Sequence, residues 1–345
     1  MAKRVVITGG CGFVGHHFVE DFLKNTDWEI DIIDKLTYAS MKLDRIRDIE
    51  AYDNKRVRIF TADITRPIAD GLIEELSGTE VIFHLAAETH VDKSIADPEP
   101  FVMSNVVGTM HMLNFARKLP RLTVFHYFST DEVFGPAVQT VIYWRRGTCL
   151  EGHETYYEWD RYNSTNPYSA TKAGAEELCL AWANTYRLPV FITHTMNNFG
   201  ERQHPEKFIP QCVKKILAGE TVTIHSDATR TKAGSRFYIH CRNVAAAARY
   251  LVPRFVSREK YNVVGEREVS NLEMAQLIAD VLGKPLRYEM VDFHSSRPGH
   301  DLRYSLSGDK MLLMEWEPPV SFERSLEKTV AWIADPAHRH WLEYR

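Results

Sequence analysis

The sequence has no run of eighteen apolar residues, so no segment has the length and character of a membrane-spanning helix. Its opening residues, Met-Ala-Lys-Arg-Val-Val-Ile-Thr, lack the apolar core and cleavage site of a secretory signal and enter a β-branched run at once. Cysteine is scarce. The five residues, at 11, 149, 179, 212 and 241, are odd in number and never form a C-x-x-C pair. That pattern excludes a disulfide framework and a cysteine-based zinc site; it reads as reduced thiols in a cytoplasmic protein that holds no metal. An excess of one charge is also missing. The formal net charge is −4, so no global field draws the chain to nucleic acid or to an anionic membrane.

What is present is ordinary for a soluble globular enzyme: 345 residues, 44% hydrophobic and 26% charged. This length suits one large α/β domain with a smaller partner. Strands are predicted at Arg4–Thr8, Glu29–Asp34, Val57–Thr61, Val81–Leu85, Leu122–Ser129 and Val190–Thr195. Helices are predicted near 13–24, 67–77, 100–118, 168–186 and 206–218. Such alternation implies a Rossmann-type, doubly wound parallel sheet with helices on both faces. It places a dinucleotide-binding domain at 1–196, with an insertion at 136–165, and a smaller α+β substrate lobe at 197–345. Two amphipathic stretches, Asn271–Leu282 and Phe322–Ile333, belong to that lobe. Segments 136–165 and 225–235 read as irregular; the second is expected to be an exposed loop, and either is suited to cover a cleft.

The first strand runs into Gly9-Gly10-Cys11-Gly12-Phe13-Val14-Gly15 and then into a helix. Glycines at 9, 12 and 15 allow a tight turn, close backbone approach to a phosphate, and close helix–strand packing. Taken alone, the motif is equally a plain strand–helix turn. A second strand ending in Asp34 about twenty residues on supplies a carboxylate for an adenosine ribose and favours NAD over NADP. Asp63, after the third strand, reads either as an adenine contact or as a cap.

Tyr168 and Lys172 are spaced i, i+4 near the start of a helix, which puts phenol and ammonium on one face. A free tyrosine titrates near ~10, so a base at neutral pH needs nearby positive charge, from the lysine and from an oxidised nicotinamide.

These motifs, with HLAAETHVDKS at 84–94, Asn105-Val-Val-Gly-Thr, STDEVFG at 129–135 and NPYSATK at 166–172, resemble the extended short-chain dehydrogenase/reductase superfamily over nearly the whole chain. More narrowly the chain is similar to the nucleotide-sugar 4,6-dehydratases, above all those acting on dTDP-glucose. Leu36-Thr37-Tyr38-Ala39, Thr130-Asp131-Glu132, Asn197-Asn198, the run His204–Pro210 and Arg297-Pro298-Gly299-His300-Asp301 carry that likeness. The resemblance implies NAD contacts from Gly9, Gly12, Phe13, Val14, Gly15, Asp34, Lys35 and Thr37. It adds Asp63, Ile64, Leu85, Ala86, Ala87, Thr89 and Asn105 from the following loops, and Tyr168 and Lys172.

In that chemistry oxidation at sugar C4 acidifies the C5 proton; a base removes it, an acid protonates the departing C6 hydroxyl, and the reduced cofactor returns its hydride to C6. The acidic pair Asp131-Glu132 suits the need for one base and one acid close together. Without context the pair is also readable as an exposed loop or helix cap. By resemblance Glu132 is the C5 base, Asp131 the acid at C6, and Thr130 the partner of Tyr168 at the C4 oxygen. The same resemblance implies a nucleoside diphosphate sugar held by Ser94, Asn197, Glu206, Lys207, Phe208, Arg236, Arg297 and His300, and pairing into a homodimer through the Tyr168 helix and its neighbour.

Three departures stand out: Cys11 in place of an alanine, Phe237 in place of an aspartate with Arg242-Asn243 in place of an acidic pair, and a longer 225–235 segment. They leave the nucleotide base open. An epimerase or decarboxylase on the same scaffold, which does not need an acidic pair beside Thr130, and a silent NAD-binding protein, which has no chemical need for Thr130, Tyr168 and Lys172 together, are the rival readings.

Overall fold

The computed structural model describes residues 2–37, 40–53, 55–137, 154–292 and 302–343. The expected strands are present as β1 (Arg4–Thr8), β2 (Glu29–Asp34), β3 (Val57–Thr61), β4 (Val81–His84), β5 (Val124–Thr130) and β6 (Val190–Thr195). With the strand Lys260–Val263 they form a seven-stranded sheet. Its order from that strand is β6, β5, β4, β1, β2, β3. The pairs from β6 through to β3 are all parallel. β1 is central because later strands add on both sides of it, which makes the β1/β4 border the switch point where open α/β sheets bind ligands. β1, β4 and β6 are buried almost throughout, as both-face coverage requires.

The chain divides into two compact units. One comprises Met1–Val133, Asn166–Thr195 and Val244–Tyr261; the other comprises Phe134–Thr165, Met196–Asn243 and Asn262–Arg345. The core of the first joins sheet residues such as Val6, Ile33, Ile82, Phe125 and Ile192 to Met112, Ala175 and Cys179 of the flanking helices. In the second, helices Phe208–Ala218, Asn271–Leu282 and Phe322–Ala334 close around Ile209, Val213, Ile224, Met274, Ile278 and Val330. They lie beside short strand pairs, including Val222–Ser226 with Tyr288–Asp292 and Ser235–Phe237 with Glu268–Ser270.

Three local expectations are corrected. The helix expected at 67–77 covers only Asp70–Glu75, because Ala69 is still extended (ψ 142°). The helix expected at 100–118 is α-helical at Glu99–Phe101 and Gly108–Arg117 but π-helical at Val102–Val107. Such widened turns occur where a helix must present a side chain, and this one carries buried Asn105. Segment 225–235 is a hairpin, not a loose loop. His225 and Ser226 end a strand, Ser226 bridges Ala233, and Asp227 accepts from the N–H groups of Thr231 and Lys232. Bonds from the Thr229 hydroxyl and those N–H groups bring the Asp227 carboxyl down to about 2. Only its tip, residues 228–232, is exposed.

Candidate active site

At the end of β1 the chain turns at Gly9, whose φ of +68° lies in the left-handed region. A Cβ at Gly9 would lie 2.9 Å from the Ala86 backbone, and one at Gly15 would lie 2.2 Å from the Gly9 oxygen. The helix Phe13–Asn25 can therefore start hard against the turn, with Gly12 as its N-cap. Its first N–H groups and its positive dipole end stand beside this turn, an arrangement that fits a dinucleotide pyrophosphate. Asp34, at the end of β2, accepts from Cys11 N at 3.0 Å and Leu36 N at 2.8 Å. Its carboxylate thus holds the glycine turn itself, beyond the ribose contact expected of it. Burial pushes the Asp34 carboxyl up, opposed by those two N–H groups and by the charge of Arg45. Arg45 is 1% exposed and no motif marked it. Asp63 pairs with Lys35 at 2.7 Å and accepts from Thr65 N, so it closes a turn as well.

Between β1 and β4 runs a buried chain of hydrogen bonds. The Thr109 hydroxyl donates to Asn105 O at 2.5 Å, so it accepts from His84 Nε2 at 3.0 Å; His84 Nδ1 then accepts from Thr8 Oγ1 at 2.7 Å. Thr8 Oγ1 in turn accepts from Leu85 N and Ala86 N. Burial, with the charge of Lys172, brings His84 down to about 3, so it stays neutral and keeps this polarity. The chain fixes the loop of Leu85, Ala86, Ala87 and Thr89. Asn105 secures it from the other side. Its amide donates to Glu88 O and Thr171 Oγ1 and accepts from Glu88 N, so both amide hydrogens are committed within the protein. Ile64 packs against Gly108, and Phe13 and Val14 are half-buried in the first helical turn.

The helix Pro167–Tyr186 begins with a capping box: Asn166 Oδ1 accepts from Ser169 N and Ser169 Oγ accepts from Asn166 N, with Pro167 at the first position. Tyr168, Lys172 and Glu176 succeed one another at i, i+4 and i+8 on its buried side. The Tyr168 ring packs with Val91 and Phe101. Its N–H donates to Ser94 Oγ, and the Ser94 hydroxyl donates to Val91 O, so this serine is a link beneath the tyrosine. Thr130 acts on the Tyr168 phenol; its hydroxyl donates to Asp131 Oδ1 at 3.0 Å and accepts from Glu132 N at 3.3 Å. Asp131 is buried and Glu132 half-buried, in a 3₁₀ turn immediately after β5. The acidic pair is therefore no exposed loop.

Burial, then the charge of Glu132, push the Tyr168 phenol well up, and Thr130 opposes them only in part. Lys172 Nζ donates to Phe128 O at 2.6 Å and lies 4.3 Å from the centre of the Tyr127 ring. Burial brings Lys172 down to about 8, while the negative charge of Glu176 pulls the other way. Glu176, fully buried, accepts from the Ser129 hydroxyl and lies 3.0 Å from His194 Nε2. Ser129 and His194 are register partners on β5 and β6. The sequence reading missed this cluster, although a carboxylate one turn past Lys172 was a visible signal.

In the second unit, Arg236 Nη1 donates to Ser235 O at 2.7 Å and Leu302 O at 2.6 Å, and its guanidinium lies 4.8 Å from the Tyr304 ring centre. Stacking and carbonyl anchoring hold the planar fork in one orientation. Lys207 caps helix Phe208–Ala218 in extended conformation with Glu206 beside it, and the exposed Asn197 accepts from Ile239 N through its backbone. Arg297 and His300 lie outside the described residues.

A family model described as GDP-mannose 4,6 dehydratase matches residues 6–329. The chain belongs to that family. Among relatives of this 4,6-dehydratase family member, the dTDP-glucose 4,6-dehydratase of Neisseria gonorrhoeae is 35% identical over 352 residues, 96% of each chain. The low-salt glycan biosynthesis protein Agl12 of Haloferax volcanii is 36% identical over 329 residues, covering 94% of this chain and 97% of that one. Among solved structures, DesIV of Streptomyces venezuelae, a dTDP-glucose 4,6-dehydratase with NAD and dTDP bound, is 34% identical, with TM-score 0.82 and 99% of each chain covered. Epimerases such as the UDP-glucuronic acid 4-epimerase of Bacillus cereus, at 23% identity and TM-score 0.80, share the fold.

Proposed function

We propose that this protein is an NAD-dependent hydro-lyase that converts dTDP-glucose, or another nucleoside diphosphate hexose, into the 4-keto-6-deoxy sugar and water. The observation that carries the reading is the Thr130-Asp131-Glu132 turn, whose hydroxyl and carboxylates act on the Tyr168 phenol; epimerases and decarboxylases have no use for that acidic pair. Tyr168 takes the C4 hydroxyl proton with Thr130 beside the same oxygen. Glu132 removes the C5 proton, and Asp131 protonates the C6 oxygen as water departs. NAD, when bound, would supply the hydride acceptor at C4 and the hydride donor at C6, and its oxidised ring would add positive charge favouring the Tyr168 phenolate. Lys172 orients that end of the site through Phe128 O.

The glycine turn, Asp34, Lys35, Thr37, Asp63 and the Leu85–Thr89 loop hold NAD, while Arg236, Lys207, Glu206, Phe208 and Asn197 are assigned to the nucleotide diphosphate and Ser94 to the sugar. The protein works in the cytoplasm, a reading supported by the free cysteines 11, 179, 212 and 241. No helix among the described residues is long and apolar enough to cross a membrane. It pairs with a second copy; exposed Val102 and Met103, on the π-helical segment packed against the Tyr168 helix, support this.

The test is incubation with dTDP-, UDP-, CDP- and GDP-hexoses in deuterated water, read by NMR. A 4-keto-6-deoxy product carrying deuterium at C5 is expected. A product that keeps its 6-hydroxyl, or that has lost carbon dioxide, refutes the reading. Glu132→Gln is expected to block elimination while cofactor reduction continues.

A further inference from the structure

Glu132 needs to be aimed and charged if it is to act as a base, and its backbone turn alone does neither. Asn166 Nδ2 donates to Glu132 Oε2 at 3.1 Å, across 34 positions of sequence. The other half of the same amide is already engaged: Oδ1 accepts from Ser169 N at 2.9 Å and so caps the helix that carries Tyr168 and Lys172. Because the cap requires the oxygen on that side, the NH₂ group has one direction left, and it points at the carboxylate. Asn166 is 6% exposed, so water competes little for either bond.

Serine, threonine and aspartate cap helices as well as asparagine does. None of them presents an N–H to Glu132. The capping role therefore leaves the choice of asparagine unexplained, and the donor explains it. We propose that Asn166 is a positioning residue for elimination, tying the base Glu132 to the first turn of the Tyr168 helix and favouring its charged form. The inference rests on the assignment of Glu132 as the C5 base. Donation to a carboxylate stabilises its anion, which matters here because Asp131 adjoins it on the same turn and both carboxylates act on the Tyr168 phenol, so an ionised Asp131 would oppose its charge. The shared amide also gives a simple geometric result: proton donor and proton acceptor move together if the start of the helix moves.

The test separates the two halves of the amide in the full-length, NAD-loaded enzyme. Asn166→Ser keeps the cap and removes the donor; Asn166→Asp keeps the cap and puts a negative charge against Glu132; Asn166→Ala removes both. Three readouts are followed: thermal midpoint, single-turnover cofactor reduction, and C5 deuterium incorporation with its pH profile. For Asn166→Ser the expectation is an unchanged thermal midpoint and cofactor reduction within about threefold of the unsubstituted enzyme. Elimination slows by about 10- to 100-fold, the range for losing a hydrogen bond to a charged group. The acid limb of elimination moves to higher pH, and Asn166→Asp is slower than Asn166→Ser.

Elimination at full rate in Asn166→Ser, or equal slowing of reduction and elimination, overturns the proposal, since the residue would then be dispensable or only a cap. Glu132→Gln, run in parallel, keeps the two readings apart. If it still eliminates, the base assignment fails and takes this proposal with it. If it is blocked while Asn166→Ser is not, only the role of Asn166 falls.

Discussion

Replacing Glu176 by glutamine tests what keeps Lys172 charged. Burial brings that ammonium down to about 8 against the pull of Glu176. Residues one helical turn apart lie roughly 6 Å from each other. At an effective dielectric of ~20, opposite charges at that distance attract by about 3 kcal/mol, equivalent to about two pH units. Glutamine keeps the shape and can still accept from the Ser129 hydroxyl, so charge is the main thing lost. A lysine lowered by burial is charged below its folded-state value and loses its proton as pH rises through it. In the unsubstituted enzyme cofactor reduction should therefore decline above about 8. In Glu176→Gln the decline should begin near pH ~6, leaving the rate at neutral pH roughly tenfold lower. Stopped-flow nicotinamide absorbance across the pH range reads both curves. An alkaline limb at the same pH in both proteins would refute the reasoning, as would a rate that does not fall above about 8. Above about 8 the unfolded chain binds more proton at Lys172 than the folded one, so this group's contribution to stability rises with pH up to its unfolded value and is least favourable below 8.

Gly15→Ala places a methyl 2.2 Å from the Gly9 oxygen and 2.7 Å from Gly10 Cα, both backbone atoms that cannot swing away. The helix must shift from the turn, costing about 1–3 kcal/mol; calorimetric titration should show at least tenfold weaker NAD binding, and unchanged affinity would remove the glycine turn from the cofactor site. Thr8→Val is nearly isosteric but deletes the hydroxyl shared by His84 Nδ1, Leu85 N and Ala86 N. Denaturant unfolding should show a loss of about 1–3 kcal/mol for the buried groups left unpaired; a midpoint within error of the parent contradicts the hydrogen-bond chain drawn through His84.

Much of the first unit was legible because its signals are local. β-branched runs alternating with helical stretches set the parallel sheet, and several strand bounds coincide with the observed ones at Arg4–Thr8, Glu29–Asp34, Val57–Thr61 and Val190–Thr195. The glycine spacing marked the turn at the end of β1 because steric demands on a tight turn are written in consecutive residues. The i, i+4 spacing of Tyr168 and Lys172 put both on one helix face whatever else the chain does. Partners that lie far off in sequence were not legible. Asn105 and Ser94 read as ligand contacts, and the structure adds that their polar atoms are engaged by Glu88, Thr171, Val91 and Tyr168. Segment 225–235 read as an exposed loop because the strand that pairs with its first arm, Tyr288–Asp292, follows some sixty residues later.

The pair with which hydride chemistry was argued, Tyr168 and Lys172, shows the division most plainly. Sequence by itself determined that the two share a helix face near the carboxyl ends of the strands, since helical periodicity and a preceding strand suffice for that. Only the tertiary structure decided their charges. Burial raises one and lowers the other, Thr130 and Glu132 act on the phenol, and Glu176 acts on the ammonium. These terms depend on solvent exclusion and on distances between segments brought together by folding, which no local spacing encodes.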